Sequence, residues 1–152
     1  MKELNFSITI HASASKVYDH MLGITDKKSY EQWTATFNPT SSYEGNWEKG
    51  SKMLFVGTDE KGEKGGMVSQ IEENIPHSLV IIRHRGLISG GQEVLEGPEV
   101  EKWANGLEKY SYLETEGATT VMVSIDAVEE FVDYFNDTYP QALLALKGQI
   151  EG

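Results

Sequence analysis

Residues 128–152 read VEEFVDYFNDTYPQALLALKGQIEG, and the spacing of their apolar side chains decides the fold class. Apolar positions recur every three or four residues, which is the period of an amphipathic helix. The stripe consists of Val128, Phe131, Val132, Phe135, Tyr139, Ala142, Leu143, Leu146 and Ile150. Pro140 lies within the stripe and cannot donate a backbone hydrogen bond, so we expect a kink near Tyr139 or two abutting helices. Such a long apolar face needs another layer of structure to cover it.

The first part of the chain predicts one strand followed by two short helices. From Leu4 to Ile10, apolar and polar residues alternate, which is typical of a half-buried strand. Ser13 and Asp26 are suitable N-cap residues for two short helices, and the second helix runs towards Trp33.

Further strands are predicted by short apolar segments that are separated by glycine-containing turns. With the first strand they make a sheet of about seven strands, and they lie near residues 43–56, 67–72, 79–84, 110–113 and 121–125. Residues 59–62 are polar, end in glycine and predict a hairpin loop. Strands joined in this way form an antiparallel sheet.

Residues 86–107 interrupt the strand pattern. Pro98 suits the first position of a helix, and Gly106 suits the position just past its end. The apolar residues between them, with Leu107 beyond, have helical spacing and predict a short amphipathic helix between two strands. Because this insert carries Trp103, it is a candidate lid over the sheet, and an inert cap on the sheet edge is the alternative.

These elements together predict an α+β fold in which a curved antiparallel sheet grips a long C-terminal helix. The 152 residues are expected to form a single domain, 1–152. A strongly bent sheet around one helix can leave a space between the two, which would suit a small molecule.

Composition excludes several classes of function. The formal net charge is −11, from 13 basic and 24 acidic residues, so the surface repels nucleic-acid phosphates and anionic membranes. The chain has no cysteine and no apolar run of the roughly 20 residues that a bilayer requires. The N-terminus does not resemble a signal peptide, and a cytoplasmic location without membrane insertion is expected.

Residues 42–52, SYEGNWEKGSK, resemble the second and third strands of a large SRPBCC (START-like) subfamily. That subfamily is named for its similarity to the C-terminal domain of the activator of heat-shock-protein-ninety ATPase. Trp33 and the stretch YPQAL at residues 139–143 are similar to the same pattern, as are GGMV at 65–68 and NIPH at 74–77. The resemblance extends over nearly the whole chain.

The resemblance implies a helix-grip (START-like) fold with a cavity between the sheet and the long helix. Relatives of this kind include lipid carriers, plant hormone binders, polyketide cyclases and aromatases. They share no catalytic motif, so no catalytic residue is carried over to this chain. The co-chaperone activity in the family name belongs to a few members and is not implied here.

The residues themselves show no motif for metal binding, cofactor binding or nucleophilic catalysis. The four histidines, at positions 11, 20, 77 and 84, lack the spacing of metal ligands. There is no Gly-x-Ser-x-Gly elbow and no phosphate-binding loop. We therefore expect no metal and no cofactor, and the catalytic residues, if the protein is an enzyme, stay unassigned.

A surplus of aromatic residues and methionines instead predicts an apolar binding pocket, although any one of them is more often a core residue. Arg83 and His84 end the most apolar strand and point to opposite faces of it, so one of them is a candidate to face the cavity. The candidate ligand-binding residues are Trp33, Phe37, Phe55, Met67, Arg83, His84, Trp103, Tyr110, Tyr112, Met122, Phe131, Phe135 and Tyr139.

Three functional hypotheses follow from the sequence. The first is binding of a small hydrophobic or amphipathic molecule of aromatic, lipid or polyketide-like character. The second is a cyclase- or hydrolase-like enzyme on an aromatic or polyketide-like substrate, which requires a titratable residue at the cavity, with His84, Arg83 and Glu114 as candidates. The third is a co-chaperone-like protein-interaction role, which requires an exposed interaction patch. The sequence leaves the oligomeric state open.

Overall fold

The computed structural model describes residues 1–152 and contains eight strands and four α-helices. The strands are β1 (Lys2–Ile10), β2 (Ser42–Gly45), β3 (Lys52–Thr58), β4 (Lys64–Ile75), β5 (Leu79–Ser89), β6 (Gln92–Val94), β7 (Leu107–Thr115) and β8 (Ala118–Ala127). The helices are α1 (Ala14–Leu22), α2 (Lys27–Thr34), α3 (Pro98–Glu101) and α4 (Val132–Glu151). One 3-10 turn, Glu129–Phe131, leads into α4.

All strand pairs in the sheet are antiparallel. Seven strands follow the order β1-β8-β7-β5-β4-β3-β2, and β6 pairs only with β5. The edge strands β1 and β2 do not pair with each other, so the sheet is open. The α+β helix-grip prediction is confirmed, with eight strands in place of about seven.

The core lies between the inner face of the sheet and helices α1, α2 and α4. Along each strand alternate side chains point to this face, which explains the period-two pattern of the sequence. The Ser13 and Asp26 side chains cap α1 and α2 as predicted. Two indoles secure the α1–α2 corner, because Trp33 Nε1 donates to the Met21 carbonyl oxygen (2.9 Å) and Trp47 Nε1 to that of Leu22 (3.0 Å).

The segment after β5 differs from the prediction. Strand β5 continues to Ser89, and α3 begins at Pro98 as predicted but is a single turn that ends at Glu101, so the expected extension of the helix towards Gly106 is wrong. Leu107 begins β7 instead. The reason is sheet pairing: the Asn105 amide donates to the His84 carbonyl oxygen (2.8 Å), and the His84 amide donates to that of Gly106 (3.0 Å). These long-range bonds outweigh a helical spacing of only a few residues.

Helix α4 is continuous through Pro140, so the alternative of two abutting helices is wrong. Its buried residues, Tyr139, Ala142, Leu143, Leu146 and Ile150, belong to the predicted stripe. No helix of the protein combines the length and the apolar character needed to cross a lipid bilayer.

Candidate functional site

Strand β7 carries an acidic residue into the interior. Glu108 lies opposite Ile82 of β5 and Ile125 of β8, and Tyr110 lies opposite Val80 and Val123. Residues directly opposite each other in an antiparallel sheet point to the same face. Glu108 therefore shares the inner face with tyrosine and aliphatic side chains.

The Glu108 carboxylate accepts hydrogen bonds from three side chains. Tyr110 Oη donates to Oε2 over 2.7 Å, and Tyr139 Oη donates to the same oxygen over 2.5 Å. The imidazole Nε2 of His84 lies 3.1 Å from Oε1. Because Tyr139 belongs to α4, the carboxylate joins the sheet to the helix that lies across it.

Ser69 extends this network along β4. Its Oγ lies 2.8 Å from His84 Nδ1, and the two residues are register partners. An ionised carboxylate only accepts hydrogen bonds, so Nε2 carries a proton. In the neutral imidazole, Nδ1 then accepts from the Ser69 hydroxyl. We call Ser69, His84, Glu108, Tyr110 and Tyr139 the Glu108 cluster.

The surroundings keep Glu108 ionised. Burial by itself raises the pKa of the Glu108 carboxyl. The hydrogen bond and charge of His84, together with the hydroxyls of Tyr139 and Tyr110, outweigh burial and hold the pKa below its ordinary value. The interior thus contains a carboxylate and not a carboxylic acid at neutral pH.

The two tyrosines of the cluster stay protonated for the complementary reason. Burial, and then the negative charge of Glu108, raise the pKa of Tyr110 and of Tyr139 well above the ordinary value of 10.0. Both hydroxyls are therefore donors to the carboxylate over the whole physiological range.

Glu108 and His84 are largely buried, yet 20% of the side-chain surface of Glu108 and 14% of that of His84 can be reached by water. Half-buried aromatic rings lie around the cluster: Phe37 and Phe135 lie 5.0 and 6.3 Å from the Tyr139 ring, and Phe55 lies 6.4 Å from the imidazole of His84. The site is an ionised polar centre inside an aromatic shell.

The molecule has two other clefts, and neither is lined by Glu108, His84, Tyr110 or Tyr139. One, of about 450 Å³, is lined by residues that include Lys27, Tyr43 and Trp47 beside the α1–α2 corner. The other, of about 270 Å³, lies on the outer face of the sheet and is lined by residues that include Arg85 and Glu93. Neither is the apolar pocket expected between sheet and helix, where aromatic side chains take up much of the room.

The structure brings most of the predicted ligand-binding residues to the inner side of the sheet. These are Trp33, Phe37, Phe55, Met67, His84, Tyr110, Tyr112, Phe135 and Tyr139. Trp33 and Tyr112 are already engaged there, since the Tyr112 hydroxyl lies 3.2 Å from Met21 Sδ and the Trp33 indole is bonded to α1.

Arg83 and Met122 lie on the outer face, because each is adjacent in its strand to a residue whose side chain points inward. Arg83 Nε donates to Glu72 Oε1 (2.7 Å), and Met122 is 44% exposed. Phe131, in the turn before α4, is also about half exposed. None of these three side chains joins the Glu108 cluster.

Trp103 belongs to a segment that covers the outer face of β5. Leu95, in the same segment, packs closely on Gly86: a Cβ atom added to Gly86 would lie only 2.6 Å from the Leu95 side chain. Val100 is buried, as are Val68 and Ile88, and none of the three belongs to the main core. The expected lid therefore packs on the side of the sheet opposite to the Glu108 cluster.

Sequence reasoning missed Glu108 and Ser69. A usable signal was present for Glu108, because it is in phase with Tyr110 and Tyr112 on a strand of period two. Glu114, the acidic candidate named from the sequence, is exposed, and its carboxylate accepts from the Ala14 amide at the start of α1 (2.7 Å). No group of three or more His, Asp or Glu side chains comes together as metal ligands would.

Comparison with known proteins shows the fold. No family model matches the chain, and no curated protein matches it significantly in sequence. The solution structure of the Aha1 dimer from Colwellia psychrerythraea is 22% identical, with a TM-score of 0.71 over 99% of this chain and 97% of that chain.

Two crystal structures with lower identity have the same architecture. Protein MLL2253 from Mesorhizobium loti is 10% identical, with a TM-score of 0.70 over 98% of this chain and 96% of that chain. CalU16 from Micromonospora echinospora is 14% identical, with a TM-score of 0.66 over 99% of this chain and 74% of that chain. The chain therefore has a START-like (SRPBCC-like) helix-grip fold that resembles the Aha1 structure.

Proposed function

We propose that the protein binds a small amphipathic molecule of aromatic, lipid or polyketide-like character between the sheet and α4. The observation that carries this proposal is the partial accessibility of Glu108 and His84 inside an aromatic shell. Ligand sites in proteins are mostly apolar, with a few polar groups that orient the ligand. The Glu108 cluster supplies such groups.

Ligand entry requires the aromatic side chains at the start of α4 to move. The rings of Tyr134 and Phe135 lie 5.3 Å apart in an edge-to-face arrangement, and Phe37 lies 6.4 Å from the Tyr134 ring. Tyr134 is 43% exposed, so this group reaches from the surface to Tyr139. Rotation of exposed and half-buried rings is faster and less costly than opening the sheet.

Native mass spectrometry of protein purified from its own host tests the proposal. We expect an excess mass that is lost on denaturation and that gives the ligand class. Binding of the neutral dye Nile red supplies a second readout. Phe135→Ala should change the affinity for the dye, whereas Leu144→Ala, at a 62% exposed position of the same helix, should not. Bare protein combined with no saturable dye binding would contradict the proposal.

A second candidate is proton-transfer catalysis on the same ligand, which the contact between His84 and Glu108 favours. A histidine beside an ionised carboxylate can take up and return a proton at a bound substrate. Ser69 is 1% exposed, so it orients the imidazole and is not within reach of a substrate as a nucleophile. His84→Gln should then preserve ligand binding and abolish turnover of the released molecule. Unchanged turnover would exclude this role.

A further inference from the structure

The interior carboxylate has no lysine or arginine partner. None of the buried residues is a lysine or an arginine, and the only basic side chain in contact with Glu108 is that of His84. The two arginines that flank His84 in the sequence, Arg83 and Arg85, bind Glu72 on the outer face. When the imidazole is neutral, the interior therefore carries one net negative charge.

Glu108 also retains capacity as an acceptor. An ionised carboxylate has about four lone-pair positions. The three hydrogen bonds from Tyr110, Tyr139 and His84 use three of them. An incoming donor can use the last, whereas an incoming carboxylate brings a second negative charge and no donor.

The aromatic shell favours the same kind of group. The face of an aromatic ring carries partial negative charge and attracts organic cations within about 6 Å of its centre. Phe37, Phe55 and Phe135 are only half-buried and lie around Tyr139 and His84. Aromatic faces together with an anionic group make a setting in which an ammonium group is stabilised from several sides.

We infer that the polar end of the ligand is an organic cation, such as an amine, which Glu108 binds within the aromatic shell. This inference rests on the proposed function and narrows its ligand class. It excludes carboxylate-ended molecules such as fatty acids as preferred ligands, because no interior arginine or lysine is present to neutralise them.

Three soluble probes with one shared aromatic body test the inference by isothermal titration calorimetry: 1-naphthylmethylamine, 1-naphthylmethanol and 1-naphthoate. We expect the amine to bind at least about tenfold more tightly than the carboxylate, with the alcohol between them, since a single desolvated charge contact is worth this much or more. High salt should leave the order unchanged, because salt screens attraction to the acidic surface far more than a contact in the interior.

Two variants, each of which removes one carboxylate, then test whether Glu108 is the source of the preference for the amine. Glu108→Gln should bring the amine and the alcohol to similar affinities, whereas Glu72→Gln on the outer face should leave the order of the wild type. Equal or tighter binding of the carboxylate by the wild type would overturn the inference, and this comparison requires no variant to fold. Persistence of the amine preference in folded Glu108→Gln would also overturn it.

Failure of the proposed function gives a different result. If none of the three naphthalenes binds and the host protein is bare, no ligand enters the interior, and Glu108 serves only to hold α4 on the sheet. Binding of the alcohol and the carboxylate without the amine would retain the proposed function and reject the cation.

Discussion

His84 and Arg83 are neighbours on β5, yet they contribute to the molecule in different ways. His84 faces inward, where its side chain is 14% exposed and contacts the Glu108 carboxylate, whose side chain is 20% exposed. Arg83 faces outward and pairs with Glu72, with side chains that are 28% and 32% exposed. Because side chains alternate along a strand, these two adjacent residues point to opposite faces of the sheet. Burial then determines how much each contact contributes to stability.

The comparison shows that the contribution of such a contact to stability depends on its surroundings and not on its length. The outer pair is shorter, at 2.7 Å against 3.1 Å for the inner one. Water screens the outer charges and replaces a lost partner, so exposed pairs contribute little to stability. A buried group that loses its partner has no such replacement, so the inner contact should dominate both stability and recognition.

The largest effect is expected when the inner carboxylate is removed. Glu108→Ala leaves two tyrosine hydroxyls and an imidazole without their acceptor, and we expect a loss of about 3–5 kcal/mol in the free energy of unfolding. Glu72→Ala should cause only a small fraction of that loss. Urea denaturation of both variants measures the difference, and equal losses would show that burial does not separate the two faces.

A smaller effect is expected from Tyr139→Phe, which removes one donor to Glu108 and leaves the ring in place. We expect a loss of roughly 1.5–3 kcal/mol, because the hydrogen bond is made to a charged group. Tyr134→Phe is the matched control in the same helix and should change stability by less than about 0.5 kcal/mol. Its hydroxyl is 3.5 Å from the Phe37 carbonyl oxygen, at the limit of a hydrogen bond. Similar losses in the two variants would exclude a special role for the Glu108 cluster.

The dependence of stability on acid pH should also differ between the inner carboxylate, Glu108, and the outer one, Glu72. The pKa of Glu108 in the folded protein is below the ordinary value of 4.5, so its ionised form stabilises the fold above that value. This stability should be lost as the pH falls through the lower pKa of the folded state. We expect Glu108→Gln to flatten the dependence of the urea midpoint on pH below 4.5 more than Glu72→Gln does. The opposite order would assign the acid sensitivity to the outer face.

The smallest effect is expected from Met122→Thr on the outer face of β8. Met122 is 44% exposed and sits between two inward residues, Val121 and Val123, that are fully buried. We expect a change within about 0.5 kcal/mol in the free energy of unfolding and unchanged affinity for 1-naphthylmethylamine. A clear loss of affinity would place the ligand on the outer face and not at Glu108.

The sequence predicted well wherever one local pattern extended over many residues. The apolar stripe of α4, the alternation in β1 and the caps at Ser13 and Asp26 are confirmed. In the short insert after β5 the pattern predicted the start of α3 but too long a helix, because three apolar residues with helical spacing are too few to compete with strand pairing.

The candidate site was only partly accessible to sequence reasoning. His84, Tyr110 and Tyr139 were named because of their residue types and their places in the pattern. Glu108 was missed because an acidic residue in a strand is usually exposed. Its role depends on partners 24 and 31 positions away along the chain, which no local pattern connects.

By itself, the sequence determined the order of the main strands and helices, the apolar face of α4 and the acidic character of the protein, because these depend on composition and on periods of two and 3.6 residues. Only the tertiary structure decided that His84 and not Arg83 faces inward, that α3 packs against β5 outside the main core, and that Tyr139 of α4 meets Glu108 of β7. The physical reason is that a register shift of one residue exchanges the two faces of a strand, and register is fixed by pairing between distant segments.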